Sequence, residues 1–481
     1  MSPWRQAVLI VLAFAGLRFW YTGRTQLAED EAYYWEWSRT PALSYYDQGP
    51  MLAVAIKAGT SLLGQDERGV RLAAVACGAA SALLVAGAGT LVLGSAVAAP
   101  WLALACHALL LYAVGGVLMM HDTLMGFFWV LALYAALRAL ANPRWWLLAG
   151  AAVALGGLSK YTMVLLPACL IGALVSRPSL RPALLSPWLW VGAAVAALGA
   201  LPILLWNAAN GWPSFQHVGS LAGADPSRRA YGAWAEYLGS QAGLVTPLLL
   251  WLVLTGWRDA WRERSRSSDA RWLVLWASAP VALFFLALSL RTRVEGNWAA
   301  PAYLGGLLLA ADRLHKHGQL NGRFSRWALG MGLAFSALVY AQALHPFLPL
   351  PQRWARADAP ARLDGWRELA QRVEAERQKL GPAAMVCART YQNAAELGFY
   401  LAGQPRVLIV QDGQLNHQYR FWNHPELFKG RDAILVAGQD WELGEMAPRF
   451  ARWEPLPDEP FVRNGNEIRR TRLMRAYGFK G

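Results

Sequence analysis

Long apolar runs separated by short polar links fill the first 345 residues. Runs of about 17 to 25 residues recur, and a helix of that length crosses a hydrocarbon core of roughly 30 Å. The pattern predicts spans near 5–22, 69–93, 98–114, 117–140, 145–159, 161–176, 186–206, 241–257, 271–290, 297–312 and 327–345. That is about eleven, with a margin of two. The stretch 50–63 is apolar but short, and predicts a helix lying along the membrane surface. Lys160 interrupts the apolar stretch 145–176, which is therefore read as two helices. Arg5 and Arg18, with no small-residue cleavage site, make the first run a retained span rather than a removed signal peptide.

Beyond about residue 345 the pattern changes. Polar and apolar residues mix, and no span appears. Residues 362–379 predict a helix. Segments 384–388, 406–410 and 433–436 predict short buried strands, with a helix over 391–401. The expected architecture is mainly α: a polytopic membrane bundle over 1–345, whose first outer loop spans about 23–68, followed by a small α/β domain over 346–481.

Composition and charge refine this picture. The chain is 56% hydrophobic, with 25 Trp and 16 Tyr, and rings of this kind collect at membrane interfaces. Its formal net charge is +14. Arginines cluster in the links around Arg138–Arg144, Arg177–Arg181, Arg258–Arg271 and Arg313–Arg326. With the spans above, all four links fall on one side, which the positive-inside rule makes cytoplasmic. The acidic segment 23–50, Asp122, Lys160, the loop 207–240, the link 291–297 and the tail then share the opposite side. No basic stripe with a matching fold motif points to nucleic acid. The four cysteines are scattered, three of them in apolar runs, so neither a disulfide framework nor a zinc spacing is visible.

Five clusters carry candidate chemistry. Asp30 and Glu31 lie among Tyr33, Tyr34 and Trp35 just past the first span. Adjacent helical residues point about 100° apart, so the two acids cannot face one small ligand equally. Ring faces suit the C–H faces of a sugar; the bland alternative is a solvated acid pair that sets the entry angle of the loop. Tyr46 and Asp47 precede Gly49-Pro50, a rigid turn in which Asp47 could equally be a helix cap. His121-Asp122 opens an apolar span, where an acid is costly and faces a cavity or a partner. His121 could ligate a metal or simply donate a hydrogen bond. Lys160 is either a snorkelling lysine or a cation for a lipid phosphate. Arg291, Arg293, Glu295 and Asn297 occupy one short link; arginine binds phosphate oxygens in a forked geometry, and an interfacial anchor explains only one of the two.

Together, Asp30-Glu31-Ala32-Tyr33-Tyr34-Trp35, Tyr46-Asp47 with Pro50, Asp122, Ser159-Lys160-Tyr161-Thr162 and Glu295-Gly296-Asn297-Trp298 resemble the polyprenyl-phosphate-dependent glycosyltransferases of the membrane C-type fold. The bacterial branch that includes the lipid A aminoarabinose transferase is the nearest in look, and protein O-mannosyltransferases are more distant. Asn416–Trp422 also resembles that branch. The resemblance implies eleven to thirteen membrane helices, a periplasmic cap domain, an inner-membrane location and a sugar donor on undecaprenyl phosphate. It implies Asp30 as the catalytic acid and Asp122 as a second essential one, with Glu31 beside them. Lys160, Arg291 and Arg293 become donor-phosphate partners. Tyr33, Tyr34, Tyr46, Asp47, Glu295 and Asn297 become substrate contacts. A divalent metal ion on Asp30, Asp122 and His121 is compatible with this reading, without a dedicated ligand motif. The expected partners are the polyprenyl-phosphate sugar, a lipid or glycan acceptor and the surrounding lipids. The family pattern often has a basic or proline-containing pair where this chain reads Gln48-Gly49, which leaves the acceptor open. The competing readings are a lipid-linked sugar flippase, a protein O-glycosyltransferase and a non-catalytic scaffold. Charges gathered at one face, with no internal repeat, argue against transport.

Overall fold

The computed structural model describes residues 1–224, 230, 232–355, 358–410, 415–438 and 447–481, so part of the 207–240 loop lies outside the described residues. The chain divides into two compact units. The first comprises Met1–Thr22, Ala42–Ala55 and Arg71–Ala337; the second comprises Gly23–Pro41, Ile56–Val70 and Leu338–Gly481.

The first unit is helical. Among the described residues, five helices are long and apolar enough to cross a membrane, and seven if each of two bent pairs counts as one span. Pro3–Thr22 is an unbroken helix of 20 residues outside that set, and the remaining expected spans are shorter or broken helices. Helix Ala300–Lys316 runs through the middle of the unit, with every residue from Ala300 to Asp312 buried. It packs along Pro247–Arg262, while His121–Ala139 packs along Trp145–Ser159 and the latter along Pro187–Leu198. That last crossing is made by glycines. A Cβ on Gly150 would lie 2.0 Å from the Gly192 carbonyl oxygen, and one on Gly192 would lie 2.3 Å from that of Trp146. Small residues permit such close approach in lipid, where packing rather than water exclusion joins helices.

Two breaks matter. The expected span 241–257 is not one helix. Ala233–Val245 stops at Thr246, held at φ 69°, and Pro247–Arg262 leaves at a bend of 103°. Pro247 disfavours a helical residue before it and brings no N–H of its own. The other break is at Lys160, where the sequence predicts it. Helix Trp145–Ser159 ends, Lys160 is extended at φ −152° and ψ 132°, and a 3₁₀ turn over Tyr161–Val164 leads into Leu165–Ser176.

The second unit is a sheet with helices. Strands β1 (Met385–Ala388), β2 (Leu408–Ile409) and β3 (Ala433–Gly438) are parallel, in the order β2-β1-β3. Then β4 (Phe450–Pro455), β5 (Glu459–Arg463) and β6 (Asn466–Phe479) add antiparallel pairings, with β6 lying between β3 and β4 and also pairing β5. Met385, Cys387, Leu435, Phe450, Met474 and Phe479 form the core. The first three strands and helices Trp366–Leu380 and Tyr391–Tyr400 match the sequence reading; the last three strands are additional. Helix Glu29–Arg39, from the acidic aromatic segment, packs on Tyr391–Tyr400. Glu67 helps bind this unit together by accepting hydrogen bonds from Tyr400 Oη at 2.9 Å and from Arg367.

Candidate active site

In the first unit, three candidate residues from distant segments form one cluster. Lys160 Nζ lies 2.7 Å from one oxygen of Asp122, and the Asn297 amide donates to the other at 2.9 Å. Asp122 occupies the first turn of helix His121–Ala139, where a carboxylate also meets the positive end of the helix dipole. Lys160 reaches it because the chain stops being helical at that residue. Neighbouring His121 donates from Nδ1 to the Ser159 carbonyl at 2.9 Å, tying the start of one helix to the end of the other. The Trp298 ring lies 6.0 Å from Lys160 Nζ.

The Tyr45–Pro50 turn belongs to the same unit. Gln48 Oε1 accepts from the Tyr161 N–H at 3.1 Å, and Gly49 lies so close to Leu158 that a Cβ would stand 2.3 Å from its carbonyl oxygen. Asp47 is 3.8 Å from His217 Nε2, and the Tyr46 ring packs 5.3 Å from that imidazole. In the 291–297 link, Arg293 holds Glu236 in an exposed pair at 2.7 Å. Arg291 and Glu295 are exposed, and Arg291 makes no ion pair among the described residues.

The second unit contains Asp30 and Glu31, and gives them different surroundings. Glu31 is fully buried, and its carboxylate accepts the Ala28 N–H at 3.0 Å, closing the first turn of the helix. Asp30 is partly exposed and accepts a long hydrogen bond of 3.4 Å from Tyr391 Oη. Burial pushes the Asp30 carboxyl above the ordinary carboxylate value, against the downward pull of Arg362 and Tyr391 and with a further upward push from Glu31. A carboxylate with a raised pKa is a better proton acceptor near neutral pH. Tyr33 sits in a stack of rings, 4.6 Å from Tyr391 and 6.1 Å from Tyr419, and its hydroxyl accepts the Gln418 N–H at 2.7 Å. Tyr34 packs edge-on against Trp37 at 5.1 Å.

Several known proteins resemble this chain. Residues 47–206 match the family model described as dolichyl-phosphate-mannose-protein mannosyltransferase. The lipid A galacturonosyltransferase RgtD of Rhizobium johnstonii is 29% identical over 351 residues, 72% of this chain and 71% of that protein. The crystal structure of ArnT from Cupriavidus metallidurans in the apo state superposes with a TM-score of 0.68 at 17% identity, over 97% of each chain. The form bound to undecaprenyl phosphate superposes at 0.67 and 18% identity, again over 97% of each chain. The chain therefore shares the fold of the ArnT structures, and its residues 47–206 resemble the mannosyltransferase family.

The family match covers Asp47, His121, Asp122 and Lys160. A metal does not fit its His121–Asp122 pair as arranged. Both Asp122 oxygens are engaged by donors, His121 Nδ1 is turned to a carbonyl, and no group of three His, Cys, Asp or Glu side chains lies together among the described residues. The sequence reading missed several supporting residues: Tyr391 and Arg362 at Asp30, and His217 at Asp47. Only Gln418 and Tyr419 carried a signal, as part of the Asn416–Trp422 segment.

Proposed function

We propose that the protein transfers a sugar from a polyprenyl-phosphate donor to a lipid A-type glycolipid at the outer face of a bacterial inner membrane, inverting the anomeric centre. An acceptor hydroxyl attacks the anomeric carbon, the bond from that carbon to the phosphate oxygen breaks, and polyprenyl phosphate departs. Asp30 takes the hydroxyl proton. The unlike settings of Asp30 and Glu31 carry this assignment. Glu31 is spent on its own helix, whereas Asp30 is accessible and its pKa is raised. Positioned cations stabilise the charge that develops on the departing phosphate. Arg291, exposed and without an ion pair among the described residues, suits this role better than Arg293, which is paired with Glu236. Lys160, with Asp122 and Asn297, forms the rigid support of the donor side. RgtD acts on lipid A by its name, and the ArnT structure with undecaprenyl phosphate supplies the donor analogy.

The test is transfer by purified Asp30→Asn from undecaprenyl-phosphate galacturonic acid and from the aminoarabinose donor to lipid A, followed by intact mass. Loss of transfer with normal folding is expected. Turnover close to that of the parent would refute the role of Asp30, and no transfer by the parent with either donor would refute the donor assignment.

A further inference from the structure

A cavity of about 240 Å³ opens in the second unit, away from Asp30's own contacts. At about 30 Å³ per water molecule it has room for roughly eight, the scale of one sugar ring. Its floor holds Glu36 and Tyr419, both nearly fully buried; Trp422 forms a half-buried wall, and Arg406 and Leu427 stand exposed at the mouth.

Two observations point to a ligand. The Tyr419 side chain is 4% exposed, yet its hydroxyl has no hydrogen-bond partner. A buried hydroxyl without a partner costs about 1–3 kcal/mol, and a ligand oxygen that pairs it removes that cost. The second observation is an imbalance of charge. Glu36 is already held by Arg39 at 3.0 Å. Arg406 has no carboxylate within ion-pair distance among the described residues; its side chain donates to the Thr40 hydroxyl and lies 5.6 Å from the Trp422 ring. Two guanidiniums, Arg39 and Arg406, therefore face the single Glu36 carboxylate, with an aromatic wall beside Arg406.

We infer that this cavity is a binding site for an acidic monosaccharide. The Trp422 and Leu427 side chains cover the C–H face of a pyranose, the Tyr419 hydroxyl pairs with a ring substituent, and Arg406 takes the acid group. Arginine matches a carboxylate with two parallel donors, which gives orientation as well as affinity. The Asn416–Trp422 segment gains a role here. Gln418 is pinned to Tyr33, and Asn423 is fixed by a pair of hydrogen bonds to the Ile409 backbone at 2.6 and 2.9 Å. Both hold Tyr419 and Trp422 at the cavity.

The test is saturation-transfer NMR on the full-length protein in nanodiscs, free of sugar-based detergent, with galacturonate and galactose as probes. Galacturonate should show transfer, and more strongly than galactose, in the parent and equally in Asp30→Asn. Tyr419→Phe, which keeps every ring contact, should lower the galacturonate signal. Arg406→Gln should weaken galacturonate about tenfold and remove its advantage over galactose. Absence of transfer in the parent, an unchanged response in both cavity variants, or loss of the signal in Asp30→Asn would each overturn the inference. The outcome is independent of whether sugar transfer to lipid A is observed.

Discussion

Replacing Lys160 by Met tests whether the Asp122 cluster is a structural unit. The ammonium and carboxylate lie 2.7 Å apart with side-chain exposures of 8% and 18%. Removing one partner of a buried pair costs about 3–5 kcal/mol, chiefly because the other charge is stranded. Asp122 keeps some exposure and its Asn297 donor, so the low end applies, about 3 kcal/mol or roughly a hundredfold in the unfolding equilibrium. Neutralising both members should recover most of that loss, because two uncharged side chains of similar volume need no partner. The cycle of Lys160→Met, Asp122→Asn and the double variant should give a coupling of at least about 2 kcal/mol in reversible denaturant-driven unfolding from mixed micelles. Additive single effects would refute the paired arrangement. The same proteins separate structure from catalysis: if Lys160 also serves the donor, the double variant regains stability but not transfer.

Other predictions rest on the same geometry. The acid limb of the transfer rate should lie above the ordinary aspartate value. Arg362→Gln and Tyr391→Phe each remove an influence that lowers the Asp30 pKa, so both should move the limb to higher pH, Arg362→Gln further; a limb that stays in place would separate it from Asp30. The same raised pKa means that Asp30 contributes stability fully present below its unfolded pKa and lost as pH rises through its folded value, so Asp30→Asn should stabilise the protein at neutral pH, read as a higher unfolding midpoint. Gly49→Ala forces a Cβ to within 2.3 Å of the Leu158 carbonyl and should cost about 1–3 kcal/mol, with lower activity from a displaced Gln48–Tyr161 contact; a variant of parental stability would show that the turn yields freely.

Legibility in the sequence divides along physical lines. Helices whose stability comes from apolar length were visible, because hydrophobicity is additive along a run. The bend at Thr246 was not predicted, although Pro247 marks it, because the flanking residues are apolar enough to be read through. The parallel strands β1 to β3 are short apolar runs and stood out. Strand β6 carries Arg469, Arg470, Arg472 and Arg475 and reads as a charged tail. Yet its hairpin signal was present: Asn464 and Gly465 both take positive φ, 50° and 77°, as a tight turn between β5 and β6 requires. Single charges in apolar segments announce that a partner exists, but not which one. Nothing local to Gly157–Thr162 shows that Lys160 meets a carboxylate 38 residues away.

The contrast between Asp30 and Glu31 shows where local rules suffice and where they stop. Helical geometry alone requires the two acids to diverge. Deciding which is spent on the fold requires the helix start, and Ala28 offers no side-chain cap to mark it. Once the helix begins at Glu29, Glu31 stands at the third position, from which a carboxylate reaches back to the capping N–H, and Asp30 cannot. The one-residue placement of that start therefore commits Glu31 to the helix and leaves Asp30 as the acid of the proposed mechanism. Moving a capping residue into place offers a direct probe. Ala28→Ser supplies a hydroxyl to the free first-turn donors, so Glu31→Gln should cost less stability in that background than in the parent. In both backgrounds transfer should depend on Asp30 and not on Glu31. If Glu31→Gln abolished transfer while leaving the unfolding midpoint unchanged, the roles of the two acids would be exchanged: Glu31 would serve the chemistry and Asp30 the fold.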